Sequence, residues 1–396
     1  MQRRTFIRLA GGGLVCTAAA AGAGAYALRS GYPAQAVEAW QGPSAAEADP
    51  RRRALAYAIT APNPHNLQPW LADLREPGVI TVHTDPERVL PQTDPFGRQI
   101  LIGHGAFLEL LVMALAEQGF GAEVALWPDG ALPAGLDGWD RRPVARLRLV
   151  PGGVADPLFT QVLRRRTPKS DYDTARPVAP ATLRALLDAA GPSVDRAGTV
   201  DADRLPALRR LCWESAKVEL LTPATVMESV HLTRVGPSEI LRHRDGISIN
   251  TAVPRIAAAL GQFDRSAPPP PGSPAYDQMM ARFRGHSDSA MGFVWLATRA
   301  QRHADAVAAG RAYVRLQLQA TALGVAVHPM SQALQEFPEM AACREQAHRL
   351  TLGRGAPQAE GRPHPADVLP HRSSHRTGPG HATPTAGGLR RLRLVQ

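Results

Sequence analysis

The stretch that organises the reading of this chain is APNPHNLQPW, residues 61–70. Pro62, Pro64 and Pro69 fix their backbone φ angles and hold a stiff corner. Asn63, Asn66 and Gln68 stand between them, and an amide offers both donors and acceptors, which suits the edge of a heterocycle such as a flavin or a purine. The plainer reading is a helix-ending turn whose amides serve the local backbone. His65 has no neighbours that would complete a metal set.

Upstream, PRRRALAYAI (50–59) predicts a short helix with proline at its start. Downstream, GVITVHTD alternates as a strand. The turn Asp94-Pro95-Phe96-Gly97 then opens a long apolar helix that stops by Gly119. AEVALWP and VARLRLV predict two more strands. From ADPLFTQVLRRRTPKSDYD the order of elements restarts: a helix and basic turn, a helix in PVAPATLRALLDAAG, and helical stretches over 203–221 and 224–245. The proline-rich 264–275 predicts a loop, MGFVWLAT a strand, and 304–324 a long amphipathic helix. Two halves of similar order predict an α+β body rather than a βαβ unit, and no Gly-x-Gly-x-x-Gly follows a strand.

The chain has 396 residues and a net charge of +10. Residues 1–30 carry four arginines and residues 368–396 carry five, with no acid in either segment. The body between them is nearly neutral, which argues against a nucleic-acid partner. The only lysines are Lys169 and Lys217. Cys16, Cys212 and Cys343 fit no metal spacing, and the sequence leaves open whether the last two bridge or stay as buried thiols. There is no Gly-x-Ser-x-Gly elbow and no cluster of carboxylates with metal spacing, so hydrolase and metal chemistry have no support. No catalytic acid or base stands out.

Around Thr167, the residues Arg164, Arg165, Arg166 and Lys169 make a compact set of donors that suits a phosphate monoester. The alternative is a solvated basic turn. Residues 1–30 have the layout of a secretory leader, and Arg3-Arg4-Thr5-Phe6-Ile7 resembles a twin-arginine signal. Export through the twin-arginine machinery to the periplasm or cell envelope is therefore expected, with an uncleaved membrane anchor as the alternative.

In this order APNPHNLQPW, DPFGRQILIGHGAFLELLVMALAEQGF, RRTPKSDYD, RDGISI and GRAYVRLQLQATALGVAVHPMSQAL resemble the nitroreductase-like FMN-binding family, in particular its Acg-type branch, over roughly residues 50–355. The resemblance implies two nitroreductase-like halves, 31–156 and 157–355, forming a pseudo-dimer in one chain, with a helical and proline-rich insertion at about 222–275. It implies that Arg165, Arg166, Thr167 and Lys169 lie near the FMN phosphate. It implies that Pro62, Asn63, Asn66 and Gln68 line the flavin, and that Pro329-Met330-Ser331-Gln332 passes the isoalloxazine with the Ser331 N–H toward N5. Lys169 stands where the family usually has arginine, a point charge in place of a fork.

The activity implied is transfer of hydride from NAD(P)H through FMN to an electron-poor acceptor such as a nitroaromatic or a quinone. The alternative is a protein that holds flavin behind a lid, with 222–275 as that lid. Residues 356–396 do not follow the family's ending of Gln-Met-x-x-Arg-x-Gly and Thr-Pro-Arg-Arg. Their Arg-, His-, Pro- and Gly-rich composition is what a GC-rich gene gives when its frame shifts near 355–365; a natural basic tail is the alternative.

Overall fold

The computed structural model describes residues 32–353 except residue 262. The leader 1–30 and the tail 356–396 lie outside the described residues. Helix α1, Pro50–Ala58, starts where Asp49 accepts from the Arg51 N–H and proline fills the first helical position. The corner follows as a 3-10 turn at Pro64–Asn66.

Strands β1 (Trp70–Asp73), β2 (Val79–Thr84), β3 (Phe120–Leu126) and β4 (Pro143–Pro151) make an antiparallel sheet in the order β1-β2-β4-β3. Trp70 pairs with Thr84, and Leu147 faces Ile80 on one side and Val124 on the other. Helix α2, Arg98–Ala116, begins at Gly97, whose φ of +66 suits glycine. The buried Asp94 carboxylate accepts from the N–H groups of Gln99 (3.0 Å) and Ile100 (2.9 Å), which caps the helix. The α2 helix is long and apolar enough to cross a bilayer, but it lies in the core, with Phe107, Leu108, Leu110 and Leu111 fully buried.

Residues after β4 run through a 3-10 turn (Pro157–Gln161), α3 (Pro180–Ala189), β5 (Asp195–Thr199), α4 (Leu205–Leu221) and α5 (Pro223–His231). Then come β6 (Thr233–Val235), α6 (Gly236–His243), β7 (Ile247–Ile249), α7 (Ala252–Ala259) and α8 (Pro274–Ser289). Strand β8 (Phe293–Ala297), α9 (His303–Ala322) and α10 (Ala341–Leu352) complete the order. Strands β5 and β8 pair antiparallel, and β6 and β7 pair parallel. The architecture is mixed helix and sheet, as an α+β reading expects.

The two long helices, α2 and α9, cross in close contact. A Cβ on Gly310 would stand 1.9 Å from the Ile102 carbonyl oxygen, and one on Gly105 would stand 2.1 Å from that of Val307. Only glycine lets the backbones approach this far. Beside the crossing, Glu109 of α2 takes Arg311 (2.7 Å) and Arg315 (2.9 Å) of α9, and Arg315 reaches Asp156 (2.7 Å).

Two local expectations change. ADPLFTQVL forms only a 3-10 turn, capped by Asp156 on the Leu158 N–H, before the chain turns into the basic segment. The span 224–245 breaks at β6, where β-branched Thr233 and Val235 precede Gly236 (φ +76) and Pro237, a combination that ends one helix and starts the next. Cys212 and Cys343 are free, buried thiols, and burial pushes the Cys212 thiol up to about 12.

Candidate functional site

The corner carries an unusual backbone. His65 (φ +50), Asn66 (φ +53) and Gln68 (φ +53) all sit in the left-handed region, which costs a non-glycine residue of the order of 1 kcal/mol or more each. Local bonds hold it there. Asn63 Nδ2 donates to the Ala61 carbonyl (3.0 Å), and Asn63 Oδ1 accepts from the Gln68 N–H (2.9 Å). Gln68 Nε2 donates to the Arg244 carbonyl at 2.8 Å. Thus Asn63 and Gln68 spend amide atoms on the backbone, while Pro62, Asn63 and Asn66 still border the cavity described below. Gln68 is buried behind them and does not line it. His65 Nε2 meets Ser229 Oγ at 2.9 Å, and burial, with Lys169 adding its charge, holds the imidazole down at about 4.

The basic segment divides its work. Arg165 donates to Thr60 O (3.0 Å), Gln317 Oε1 (2.8 Å) and Thr167 Oγ1 (3.1 Å). All three acceptors are neutral, its Nε is buried with no partner, and burial lowers its pKa to about 10. A guanidinium desolvated without a carboxylate is a place where an anion gains most. Arg166 donates to the carbonyls of Leu163 and Arg165, both at 2.8 Å, and lies 4.6 Å from the Trp40 ring centroid. Lys169 as a whole stays exposed, yet the walls around its ammonium strip enough water to lower its pKa, with Arg282 contributing repulsion.

The third component is the loop after α9. Arg98, first residue of α2, donates to the Leu334 carbonyl and pairs with Glu336 (3.3 Å). Glu219 of α4 accepts from Gln335 Nε2 at 3.0 Å. These ties bring Pro329, Met330, Ser331 and Gln332 to the wall of the same cavity, and Gln332 Oε1 is buried with no partner.

The cavity has a volume of about 2380 Å³. Arg165, Arg166, Thr167 and Lys169 line it together with the corner and the 329–332 loop. Sequence reasoning missed three contributors to its walls: Glu219, Arg282 and the histidine pair His286–His328, whose rings are 4.9 Å apart. The spacing of Arg282 and His286 on one helix face was legible, but nothing in it distinguished that face from a solvated one. Segment 222–275 covers one side and is bonded to the corner. The Gly246 N–H donates to Asn66 O (3.2 Å), and Glu228 accepts from Gln92 N (2.9 Å), Thr93 N (3.1 Å) and Thr93 Oγ1 (2.5 Å). Among the described residues no group of three His, Cys, Asp or Glu side chains is placed to hold a metal.

No family model matches the chain. Over 159 residues it is 31 % identical to a Mycobacterium tuberculosis protein named "Putative NAD(P)H nitroreductase Rv3131", covering 39 % of this chain and 40 % of that one. Over 92 residues it is 36 % identical to "Putative NAD(P)H nitroreductase acg" of the same species, covering 23 % and 28 %. The chain thus spans at most about two fifths of the length of these curated relatives. These distant homologues support kinship with a nitroreductase-like family.

Proposed function

We propose that the chain is an FMN-dependent oxidoreductase that passes hydride from NAD(P)H to an electron-poor acceptor such as a nitroaromatic or a quinone. In this reading its two halves form a nitroreductase-like pseudo-dimer within one chain. The observation that carries the reading is the convergence of three segments distant in sequence, 62–66, 165–169 and 329–332, on one cavity. The donor set fits a flavin mononucleotide. Arg165 offers a buried positive charge with no acid and an unused Nε for a phosphate, and Gln332 adds an unpaired buried amide oxygen. Small-ligand pockets are roughly 300–1,000 Å³, so a cavity of about 2380 Å³ has room for a cofactor and a second ligand together.

When bound, FMN supplies the hydride and electron chemistry itself. The chain's own residues hold the phosphate (Arg165, Arg166, Thr167, Lys169), shape the ring's edge (Pro62, Asn63, Asn66, with Gln68 fixing the corner behind them) and pass a backbone loop beside it (Pro329, Met330, Ser331, Gln332). The names of the relatives, each a "Putative NAD(P)H nitroreductase", support an NAD(P)H-dependent oxidoreductase. Export through the twin-arginine pathway, read from residues 1–30, belongs to the same proposal. It predicts that Arg3→Lys with Arg4→Lys keeps the chain in the cytoplasm.

A second reading, a flavin-holding protein with little turnover, is favoured by one observation: 222–275 covers one side of the cavity and is bonded to the corner at Ser229, Arg244 and Gly246, and to Gln92 and Thr93 through Glu228. An anaerobic absorption spectrum of the purified chain, before and after NADPH or NADH, tests both. A bound flavin that bleaches at catalytic speed supports the reductase. A bound flavin that stays oxidised supports the holding protein. A chain that binds no flavin when FMN is supplied refutes both.

A further inference from the structure

The corner and the 165–167 segment do not use all the positive charge in the cavity. Lys169 and Arg282 both line it, and neither side chain makes a hydrogen bond or an ion pair among the described residues. They come together from different elements. The Lys169 carbonyl accepts from His286 Nε2 at 3.0 Å. Arg282 and His286 are four residues apart on α8, hence on one helix face. His328, on the loop after α9, sets its ring 4.9 Å from that of His286.

The nearby acids are engaged elsewhere or stand apart. Asp171 lies against Gly285 of α8, where a Cβ would come 2.4 Å from its Oδ1, but it makes no ion pair with either cation among the described residues. Asp173 pairs with Arg176 (2.7 Å), Asp305 with Arg302 (3.0 Å), and Asp264 is bonded to Ser266. Electrostatics agree with the geometry: after burial, the charge of Arg282 helps to lower Lys169, and His286, Lys169 and Arg282 together help to hold His328 down at about 4. A bonded carbonyl requires the proton of His286 on Nε2. Its Nδ1, like that of His328, is buried with no partner.

Two cations that line one cavity and repel each other, with neither side chain in an ion pair among the described residues, destabilise the empty protein and favour whatever anion bridges them. A lysine and an arginine together match a phosphate: a point charge on one oxygen and a fork on others.

We propose that Lys169 and Arg282, with the rings of His286 and His328 beside them, bind the terminal phosphate monoester of a nucleotide ligand. Arg282 is the second cationic arm, reaching the cavity from α8, which His286 ties to the basic segment. The proposal rests on the flavin–nicotinamide reading for its ligand class. Two sources carry such an ester there, the 5′-phosphate of FMN and the 2′-phosphate of NADPH, and riboflavin and NADH are the matching ligands without it.

Calorimetric titration of the full chain with FMN, riboflavin, NADPH and NADH is therefore made on the wild type, Arg282→Gln, Lys169→Gln and Arg282→Lys. The expected result is that Arg282→Gln weakens one phosphate-bearing ligand by at least about tenfold, the loss of a charge-assisted contact. Its unphosphorylated counterpart is unchanged, Lys169→Gln behaves likewise, and Arg282→Lys recovers part of the loss. A loss confined to FMN assigns the flavin ester, and a loss confined to NADPH assigns the nicotinamide one. If neither ratio moves in variants with wild-type thermal unfolding, the proposal is overturned. Failure of the flavin reading shows separately, as a wild type that binds neither flavin. In that case inorganic phosphate raises the unfolding temperature of the wild type but not of Arg282→Gln if the site stands, and of both or neither if it does not.

Discussion

Glu219→Gln tests whether the loop that reaches the cavity is held by a proton. Glu219 is 6 % exposed, and Gln335 Nε2 donates to its Oε2 at 3.0 Å. Burial is the main cause that raises its pKa to about 7; Glu228 adds a like charge, and the Gln335 hydrogen bond opposes both. Gln335 Oε1 is buried without a donor, so a proton on the Glu219 carboxyl would give it one. The sign follows from where the proton leaves. The unfolded chain releases it near pH 4.5 and the folded chain near pH 7. Between those values unfolding sheds a proton, and stability falls as pH rises, by about 1.4 kcal/mol per pH unit. The contribution is complete below about pH 4.5, is lost through pH 7, and amounts to about 3 kcal/mol in all.

The wild-type curve alone is a sum. Asp94, raised by burial to about 6, acts in the same direction. His65 and His328, held near 4, and His104, held near 3, act oppositely: the stability they contribute is present above the unfolded value of 6.5 and is lost as pH falls. Glu219→Gln keeps the volume, removes the one titration, and leaves those terms to cancel in the difference. Urea unfolding followed by tryptophan fluorescence, at pH 5, 6, 7 and 8, should show the variant gaining on the wild type by about 2.5 kcal/mol across the series, the part of the total that falls above pH 5. Parallel curves, within about 0.5 kcal/mol, would refute the reasoning and mean that Glu219 is ionised in the folded chain throughout.

Gly310→Ala should destabilise by about 1–3 kcal/mol or more, because its Cβ would stand 1.9 Å from the Ile102 carbonyl and force α2 and α9 apart; an unchanged thermal midpoint would mean that the helices do not cross there. Glu228→Ala strips the acceptor from Gln92 N, Thr93 N and Thr93 Oγ1, so trypsin should cut faster at Arg234 and Arg242 within the covering segment. Equal cleavage rates in variant and wild type would show that this contact does not hold the segment down. Arg165→Met should weaken FMN at least about tenfold in a calorimetric titration, and an unchanged affinity would leave Arg165 a purely structural link between Thr60, Thr167 and Gln317.

Much of the scaffold was legible because its signals are local. The proline-led start of α1, the Asp94–Gly97 turn before α2, the alternation of β2 and the apolar periodicity of α9 each lie within a few residues of what they specify. The proline-rich corner was also visible, although its three left-handed residues were not. The short pieces between 157 and 249 were harder to read. There β6 and β7 owe their pairing to each other, and a three-residue strand has too few positions to show a period.

By itself the sequence determined the main elements of the first half (α1, β2, α2, β3 and β4) and the long helix α9, the stiffness of the corner and the concentration of positive charge at 164–169. Backbone propensity, capping and hydrophobic period act over one or two turns, so they survive without a fold around them. Only the tertiary structure decided which of those charges remain free. It ties Arg165 to Thr60 and Gln317, lays Arg166 on Trp40, and brings Lys169 to the wall of one cavity with Arg282, a residue more than a hundred positions away. The physical reason is that a side chain's partners are set by what burial brings beside it, and burial here is governed by the crossing of α2 and α9 and by the covering segment. Neither arrangement is encoded within any single stretch of the chain.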